Sequence, residues 1–239
     1  MNTTSNYITK GPETMGAGAS LSFGAARLSF VSAFVSVFLM LILHLVKPGL
    51  SPASHMLSEY AIGDQGWIMK LAFFAWAASC LLLVMAIRSY IHTMAGKIGL
   101  VLLFIVGLSL VMAGIFVMDP PTASPEELTT HGNLHGLSAM IGIPGHAIAA
   151  LLISFSLKQN PEWFKAKTTL VRFAHFTWIS LLLLFASVFI MMSQSGGKFT
   201  GDNAVGWFNR LLVFSYCAWL IVTARNAIAI SKTNGSPGA

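Results

Sequence analysis

The chain has 239 residues, of which 55% belong to the apolar set and only 9% are charged. Soluble domains average roughly 25% charged residues, so this composition excludes an ordinary soluble protein and indicates an integral membrane protein. The formal charge of +6 comes from basic residues scattered between hydrophobic runs. Because no long basic run is present, the charge does not predict binding to nucleic acid.

Six apolar runs are long enough to cross a bilayer, which requires about 20 mainly apolar residues per helix. They cover residues 24–46, 66–88, 97–118, 135–157, 169–192 and 207–230. The sequence therefore predicts an all-α, polytopic integral membrane protein with six transmembrane helices. We expect a single transmembrane domain over residues 23–230, with mobile tails at 1–22 and 231–239.

The basic residues predict the orientation of the helices. Six crossings place both termini on one side, and ten of the 14 Lys and Arg residues fall on that side. Because cytoplasmic loops are enriched in Lys and Arg, we expect both termini in the cytoplasm. The protein should then lie in the cytoplasmic (inner) membrane of a prokaryote, with membrane lipids as partners. Loops 47–66, 119–136 and 193–206 would be extracytoplasmic, and no oligomeric state is indicated.

Two spans and one loop have recognisable local features. In loop 47–66, Ser51 or Ser54 should cap a short helical turn, because a serine oxygen accepts hydrogen bonds from exposed first-turn N–H groups. The glycines of the third span have the spacing that lets membrane helices approach closely. In the fourth span, Pro144 removes a backbone donor, and we expect His146 to supply the missing hydrogen bond.

Polar residues gather at the predicted outer ends of the spans. Asp119 ends the third span, Ser58 and Tyr60 lie in the first outer loop, and His135 begins the fourth span. Arg210 lies about one turn inside the sixth span, where a guanidinium must find an anion or reach the interface. These five residues predict a binding site for a small polar ligand or a lipid headgroup, with Asp119 and Arg210 as a charge pair. The alternative is a membrane-support role in which the pair only joins helices.

A second hypothesis is a zinc-dependent hydrolase of a lipid-like ester or amide. His131 and His135 are four residues apart and would share a helix face, which can bring two imidazoles to one metal ion. Asp119 would be the third ligand. Glu59 would act as the base toward a metal-bound water. The cofactor of this hypothesis is zinc, and the sequence offers ligands for no other cofactor at these residues.

Three further possibilities use the same residues or other histidines. Ser58, His135 and Asp119 could form a nucleophilic triad, although no nucleophile-elbow motif surrounds the serine. Haem could lie between His146 and His175. Transport could use a helix broken at Pro144. The sequence leaves open whether the protein is an enzyme.

An ordered set of short motifs resembles a known family. The motifs are Ser58-Glu59-Tyr60-x-x-Gly63-x-x-Gly66-Trp67, Gly114-x-Phe116-x-x-Asp119-Pro120, Leu134-His135-Gly136, and Gly206 with Arg210. Together they resemble the bacterial and archaeal domain-of-unknown-function 998 family, over about residues 25–230. The resemblance implies a six-helix membrane protein without an established reaction. Ser58, Tyr60, Asp119, His135 and Arg210 match the family pattern by position, whereas His55, His131 and His146 are features of this sequence.

Overall fold

Six long helices make up most of the protein. A computed structural model describes residues 17–196 and 203–234, and this part of the chain contains no strands. The helices are α1 (Ala17–Val46), α2 (Trp67–Ile87), α3 (Met94–Ile115), α4 (Thr130–Leu157), α5 (Lys167–Gln194) and α6 (Val205–Asn234). Each contains a segment long and apolar enough to cross a membrane. The prediction of an all-α, six-span integral membrane protein is therefore confirmed.

The helices pack in chain order around a closed ring. Each helix contacts the next, α6 closes the ring against α1, and α2 also contacts α6 across the interior. Buried serines join neighbouring helices: Ser29 Oγ donates to the carbonyl of Ser79 at 2.8 Å, and Ser36 Oγ to that of Ala72 at 2.9 Å. Apolar side chains cover the outer faces of the helices. Such a surface matches lipid, while hydrogen bonds and close packing hold the helices together.

Close approach of α3 to α4 depends on glycine, as predicted for the third span. A Cβ atom at Gly99 would lie 2.9 Å from Cγ1 of Ile153 and 3.0 Å from Cβ of Leu152. No larger residue fits there without movement of α4. Small residues at such contacts let the two backbones approach.

Four helices, α1, α4, α5 and α6, are longer than the hydrophobic runs predicted. Residues 17–22 and 231–234, assigned to mobile tails, belong to α1 and α6. A helix can continue past its apolar run because its backbone hydrogen bonds do not depend on contact with lipid. Residues 1–16 and 235–239 of the predicted tails, and residues 197–202 of the predicted third outer loop, lie outside the described residues.

The fourth helix continues through Pro144. The predicted hydrogen bond from His146, which was to replace the one lost at Pro144, does not form. The hydroxyl of Tyr216 donates to the carbonyl of Ile143 at 2.6 Å. Neither nitrogen of His146 has a hydrogen-bond partner in the described part of the chain. Its ring instead stacks on Tyr216, with centroids 4.2 Å apart and planes 7° apart. Because α6 presents aromatic rings to this side of α4, the imidazole packs as an aromatic group.

The two ends of the bundle differ. Loops 47–66 and 116–129 meet at one end, which we call the long-loop end. Loops 88–93 and 158–166 lie at the other, the short-loop end, together with residue 17 and residue 234. The ordering of the helices fixes this arrangement because six crossings return the chain to the end at which it began.

Loop 47–66 packs directly on the start of α6 at Gly206. A Cβ atom there would lie 2.5 Å from the carbonyl oxygen of Pro52, 2.6 Å from that of Ala53 and 2.7 Å from that of His55. Three backbone oxygens cannot retract as a flexible side chain would. Position 206 must therefore be glycine for loop 47–66 to pack in this way.

Gly206→Ala is expected to lower the stability of the protein by about 1–3 kcal/mol, the usual range for overpacking. The measurement is thermal unfolding in detergent. Gly136→Ala is the matched control, since nothing lies within 4 Å of a Cβ at that helical position. Alanine favours a helix over glycine by about 1 kcal/mol, so the control should be neutral or stabilising. Equal unfolding temperatures for the two variants would contradict the packing argument.

Candidate functional site

Arg210 is buried in the first turns of α6, with only 4% of its surface exposed. A guanidinium at this depth is tolerated only when its N–H groups have acceptors. Nε donates to Nε2 of His44 at 2.8 Å, and Nη2 donates to the hydroxyl of Tyr60 at 3.0 Å. Nη1 donates to the carbonyls of His55 at 2.7 Å and Gly206 at 3.0 Å. We call these groups the Arg210 network.

The acceptors of the Arg210 network are themselves held in place. The hydroxyl of Tyr60 accepts from Arg210 and donates to the carbonyl of Leu50 at 2.9 Å. His44 accepts at Nε2, so its proton lies on Nδ1, which is 2.8 Å from the carbonyl of Met40. This pattern requires the neutral imidazole. The network therefore links α1, loop 47–66 and α6.

Further hydrogen bonds fasten loop 47–66 over the bundle. The backbone N–H of Leu57 donates to Oδ1 of Asn209 at 2.9 Å. Nζ of Lys47 donates to the carbonyls of Tyr60 at 3.2 Å and Ile62 at 2.5 Å. The Asn209 contact joins the loop to α6, and the Lys47 contacts join the two halves of the loop next to the end of α1. The loop is thus a fixed part of the structure.

The short helical turn predicted in loop 47–66 is confirmed as a 3-10 helix, Leu57–Ala61. Its cap is Glu59 rather than a serine: the N–H of Met56 donates to Oε1 of Glu59 at 2.7 Å. Burial raises the pKa of the Glu59 carboxyl, while the Met56 hydrogen bond and the charges of His55 and Arg210 act in the opposite direction. The charge of Arg210 is the smallest of these effects on the pKa of Glu59.

A cavity of about 80 Å³ lies beneath the 3-10 helix, between α2, α3, α4 and α6. The apolar lining includes Leu57, Met69, Phe73, Trp76, Val106, Leu110, Ala113, Leu212 and Val213. The polar lining consists of Ser58, Ser109, His135, Ser138, Asn209 and Tyr216. The cavity has space for several water molecules or a small polar group.

Several polar atoms at the cavity have no partner in the part of the chain that is described. Nδ1 of His135 lies 2.9 Å from the carbonyl of Phe116, to which it donates, so Nε2 is an acceptor without a donor. Trp76 also lines the cavity, but its Nε1 atom, which has no acceptor, is buried in the protein and does not face that space. Ser58 Oγ and Asn209 Nδ2 make no hydrogen bond to the described residues either. Donors and an acceptor thus border a single apolar-walled space.

The 3-10 helix separates this cavity from a groove of about 520 Å³ at the surface of the long-loop end. Ser58 lines the cavity, whereas its neighbour Glu59 lines the groove. Lys47, His55 and Asp64 also line the groove. The 3-10 helix therefore forms the roof of the cavity and the floor of an outer, charged groove.

Asp119 is a predicted site residue that belongs neither to the Arg210 network nor to the lining of the cavity. Its carboxylate accepts from the N–H of Thr129 at 2.8 Å and from the Thr129 hydroxyl at 2.7 Å. Thr129 in turn caps α4, accepting from the N–H of Gly132 at 3.0 Å. The predicted Asp119–Arg210 charge pair does not form, because loop 116–129 folds back onto the start of α4 and uses the carboxylate there.

The histidines of α4 are not brought together with Asp119 as metal ligands. Helix α4 begins at Thr130, so His131 and His135 do lie one turn apart. Phe116 contacts both: its ring lies 5.3 Å from that of His131, and its carbonyl binds His135. Within residues 17–196 and 203–234, no group of three or more His, Cys, Asp or Glu side chains could hold a metal ion. His146 and His175 have separate neighbours, Tyr216 and Phe155.

Three residues of the site were missed in the sequence. Asn209 could have been found, because it is a polar residue next to Arg210 in an apolar span, and such residues are functional candidates. His44 could have been found for the same reason, because it is an ionisable residue near the end of the first apolar span. Trp76 has no such indication. His44 precedes Arg210 by 166 positions, and no spacing rule connects residues so far apart.

Arg210→Lys and Arg210→Gln should both loosen loop 47–66, because neither side chain can replace four directed N–H groups. We expect a loss of about 2–4 kcal/mol in stability and faster proteolysis within the loop. Arg225→Gln, an exposed change on the same helix, should alter stability by less than about 0.5 kcal/mol. Wild-type protease resistance in Arg210→Lys would contradict this role.

The hydrogen bonds of Asp119 should make the stability of the protein depend on pH. The Thr129 N–H and hydroxyl hold the pKa of this carboxyl below its ordinary value of 3.8. Its contribution to stability is therefore complete above that value and is lost as the pH falls through the lowered pKa. The difference in unfolding temperature between the wild type and Asp119→Ala should exist at pH 6 and shrink progressively as the pH falls below 3.8. Asp64→Ala, at an exposed position, should show no such convergence; a constant difference for Asp119→Ala would refute the assignment.

Comparison with known proteins places the chain in a family. A family model described as "Protein of unknown function (DUF998)" matches residues 30–226, from within α1 to within α6. No curated protein and no solved structure gives a match. The resemblance inferred from the short motifs is confirmed, since the matched range includes all of them. This six-helix membrane protein belongs to the DUF998 family.

Proposed function

We propose that the protein binds a small, uncharged polar ligand in the cavity beneath the 3-10 helix. The ligand is a free molecule or the polar part of a lipid headgroup. One observation supports this most directly: Ser58 and His135 line the cavity, and the Ser58 hydroxyl and Nε2 of His135 have no partners among the described residues. Buried polar groups in proteins are almost always hydrogen-bonded, so such a cluster indicates a missing partner.

The chemistry of the lining defines the class of ligand. Nε2 of His135 accepts, Nδ2 of Asn209 donates, and the Ser58 hydroxyl can do either. No charged side chain of the described residues lines the cavity. Uncharged groups that both donate and accept, such as hydroxyls and amides, suit this lining. The apolar walls would enclose the carbon skeleton, as in most small-molecule sites.

The predicted site residues divide into two roles. Ser58 and His135 would contact the ligand. Tyr60 and Arg210 are positioning residues, because their hydrogen bonds hold the roof. Asp119 acts further away, by fixing the start of the helix from which His135 projects. This division replaces the predicted ion pair with a rigid frame around an uncharged site.

The proposal includes an orientation. Most Lys and Arg residues fall at the short-loop end, which supports cytoplasmic termini and an outward-facing groove in a prokaryotic inner membrane. A ligand would enter from the groove past the 3-10 helix. The zinc hydrolase gains no support, since its three ligands have other neighbours.

The test uses glycerol and 1-monooctanoylglycerol as probes, which share a headgroup but differ in the acyl chain. Purified protein is titrated with each probe while tryptophan fluorescence and thermal unfolding are recorded. Saturable binding of glycerol would identify a free ligand; binding of only the acylated probe would identify a lipid headgroup. Ser58→Ala should weaken binding about fivefold, the effect of one hydrogen bond.

Ser89→Ala is the matched control for the probe titration, because Ser89 is exposed at the short-loop end. Ala113→Leu fills the cavity and should abolish binding while preserving or raising the unfolding temperature, since vacant sites are often destabilising. The proposal fails if neither probe gives a saturable response. It also fails if Ala113→Leu binds as the wild type does.

A further inference from the structure

A second groove, of about 380 Å³, lies between α1 and α6 at the short-loop end. It is lined by Phe23, Arg27, Phe30, Val31, Ile228 and Lys232. Each helix thus contributes one cation and at least one apolar side chain. This groove is far from the cavity under the 3-10 helix and shares none of its residues.

The two cations of the groove lack an acidic partner within the described residues. Arg27 and Lys232 are both exposed, and the guanidinium of Arg27 lies 5.7 Å from the centroid of the Phe23 ring. Among the described residues, the short-loop end contains one carboxylate, that of Glu162, and it does not line the groove. Among residues 17–196 and 203–234, no carboxylate offsets the two positive charges of the groove lining.

The position along α1 places this charge at a membrane surface. Arg27 and His44 are separated by about 25 Å along the helix, at 1.5 Å per residue. A bilayer hydrocarbon core is about 30 Å thick. Because His44 belongs to the Arg210 network at one interface, Arg27 lies near the opposite interface. Val31, one turn closer to the membrane centre, is 54% exposed.

We propose that this groove binds one anionic phospholipid. Its phosphate would lie between Arg27 and Lys232, which would supply a planar guanidinium and a flexible ammonium. One acyl chain would follow Phe30, Val31 and Ile228 toward the membrane centre. A zwitterionic lipid fits less well because its own cation would face the same two charges.

Native mass spectrometry of the full-length protein tests the proposal. The protein is equilibrated with phosphatidylglycerol or phosphatidylcholine of equal chain length. We expect one retained phosphatidylglycerol per chain and clear preference over phosphatidylcholine. The double variant Arg27→Gln with Lys232→Gln should weaken this binding about thirtyfold, since each basic residue contributes about fivefold.

Arg88→Gln with Lys97→Gln is the matched control, because it removes two exposed cations from the same end but outside the groove. It should retain the lipid. If the double variant fails to fold, Lys232→Gln alone, in the last turn of α6, should still weaken binding about fivefold. Soluble glycerol 3-phosphate should not displace the lipid. The proposal is overturned by displacement with glycerol 3-phosphate, by equal retention of the two lipids, or by equal loss in the variant and its control.

Discussion

The burial of one guanidinium organises the long-loop end of this protein. Arg210 lies in an apolar helix, where an unsatisfied N–H group is costly. Its acceptors come from α1, from loop 47–66 and from α6 itself. Because all of them must converge on one planar group, the loop is drawn down onto the bundle. The 3-10 helix thereby becomes the roof of a cavity instead of a surface turn.

At the long-loop end, the polar residues differ in whether the protein itself satisfies their hydrogen bonds, and this distinguishes structural residues from candidates for ligand binding. Hydrogen bonds within the protein use the polar groups of Tyr60, Arg210 and Asp119. The hydroxyl of Ser58 and Nε2 of His135 have no hydrogen-bond partner among the described residues, and both residues line the cavity. A site built in this way has a rigid frame and open contact groups, which is the arrangement that favours precise binding.

The two ends of the bundle suit different partners. The long-loop end has a groove with charges of both signs above an uncharged cavity. The short-loop end has exposed cations on α1 and α6 beside apolar side chains that face lipid. The same helices α1 and α6 take part at both ends. Lipid bound at one end and the Arg210 network at the other would therefore fix the same pair of helices.

The sequence by itself determined the six spans, the family and the end of the bundle at which the polar residues gather. Run length and composition suffice for this, because a bilayer imposes one length on every crossing. The partner of each polar residue could be identified only in the tertiary structure: Asp119 bonds Thr129, while Arg210 bonds His44 and Tyr60. Hydrogen bonds are short and directional, so a shift of one turn changes the partner. Hydrophobicity patterns specify which end a residue occupies, but only the folded loops specify which atoms meet there.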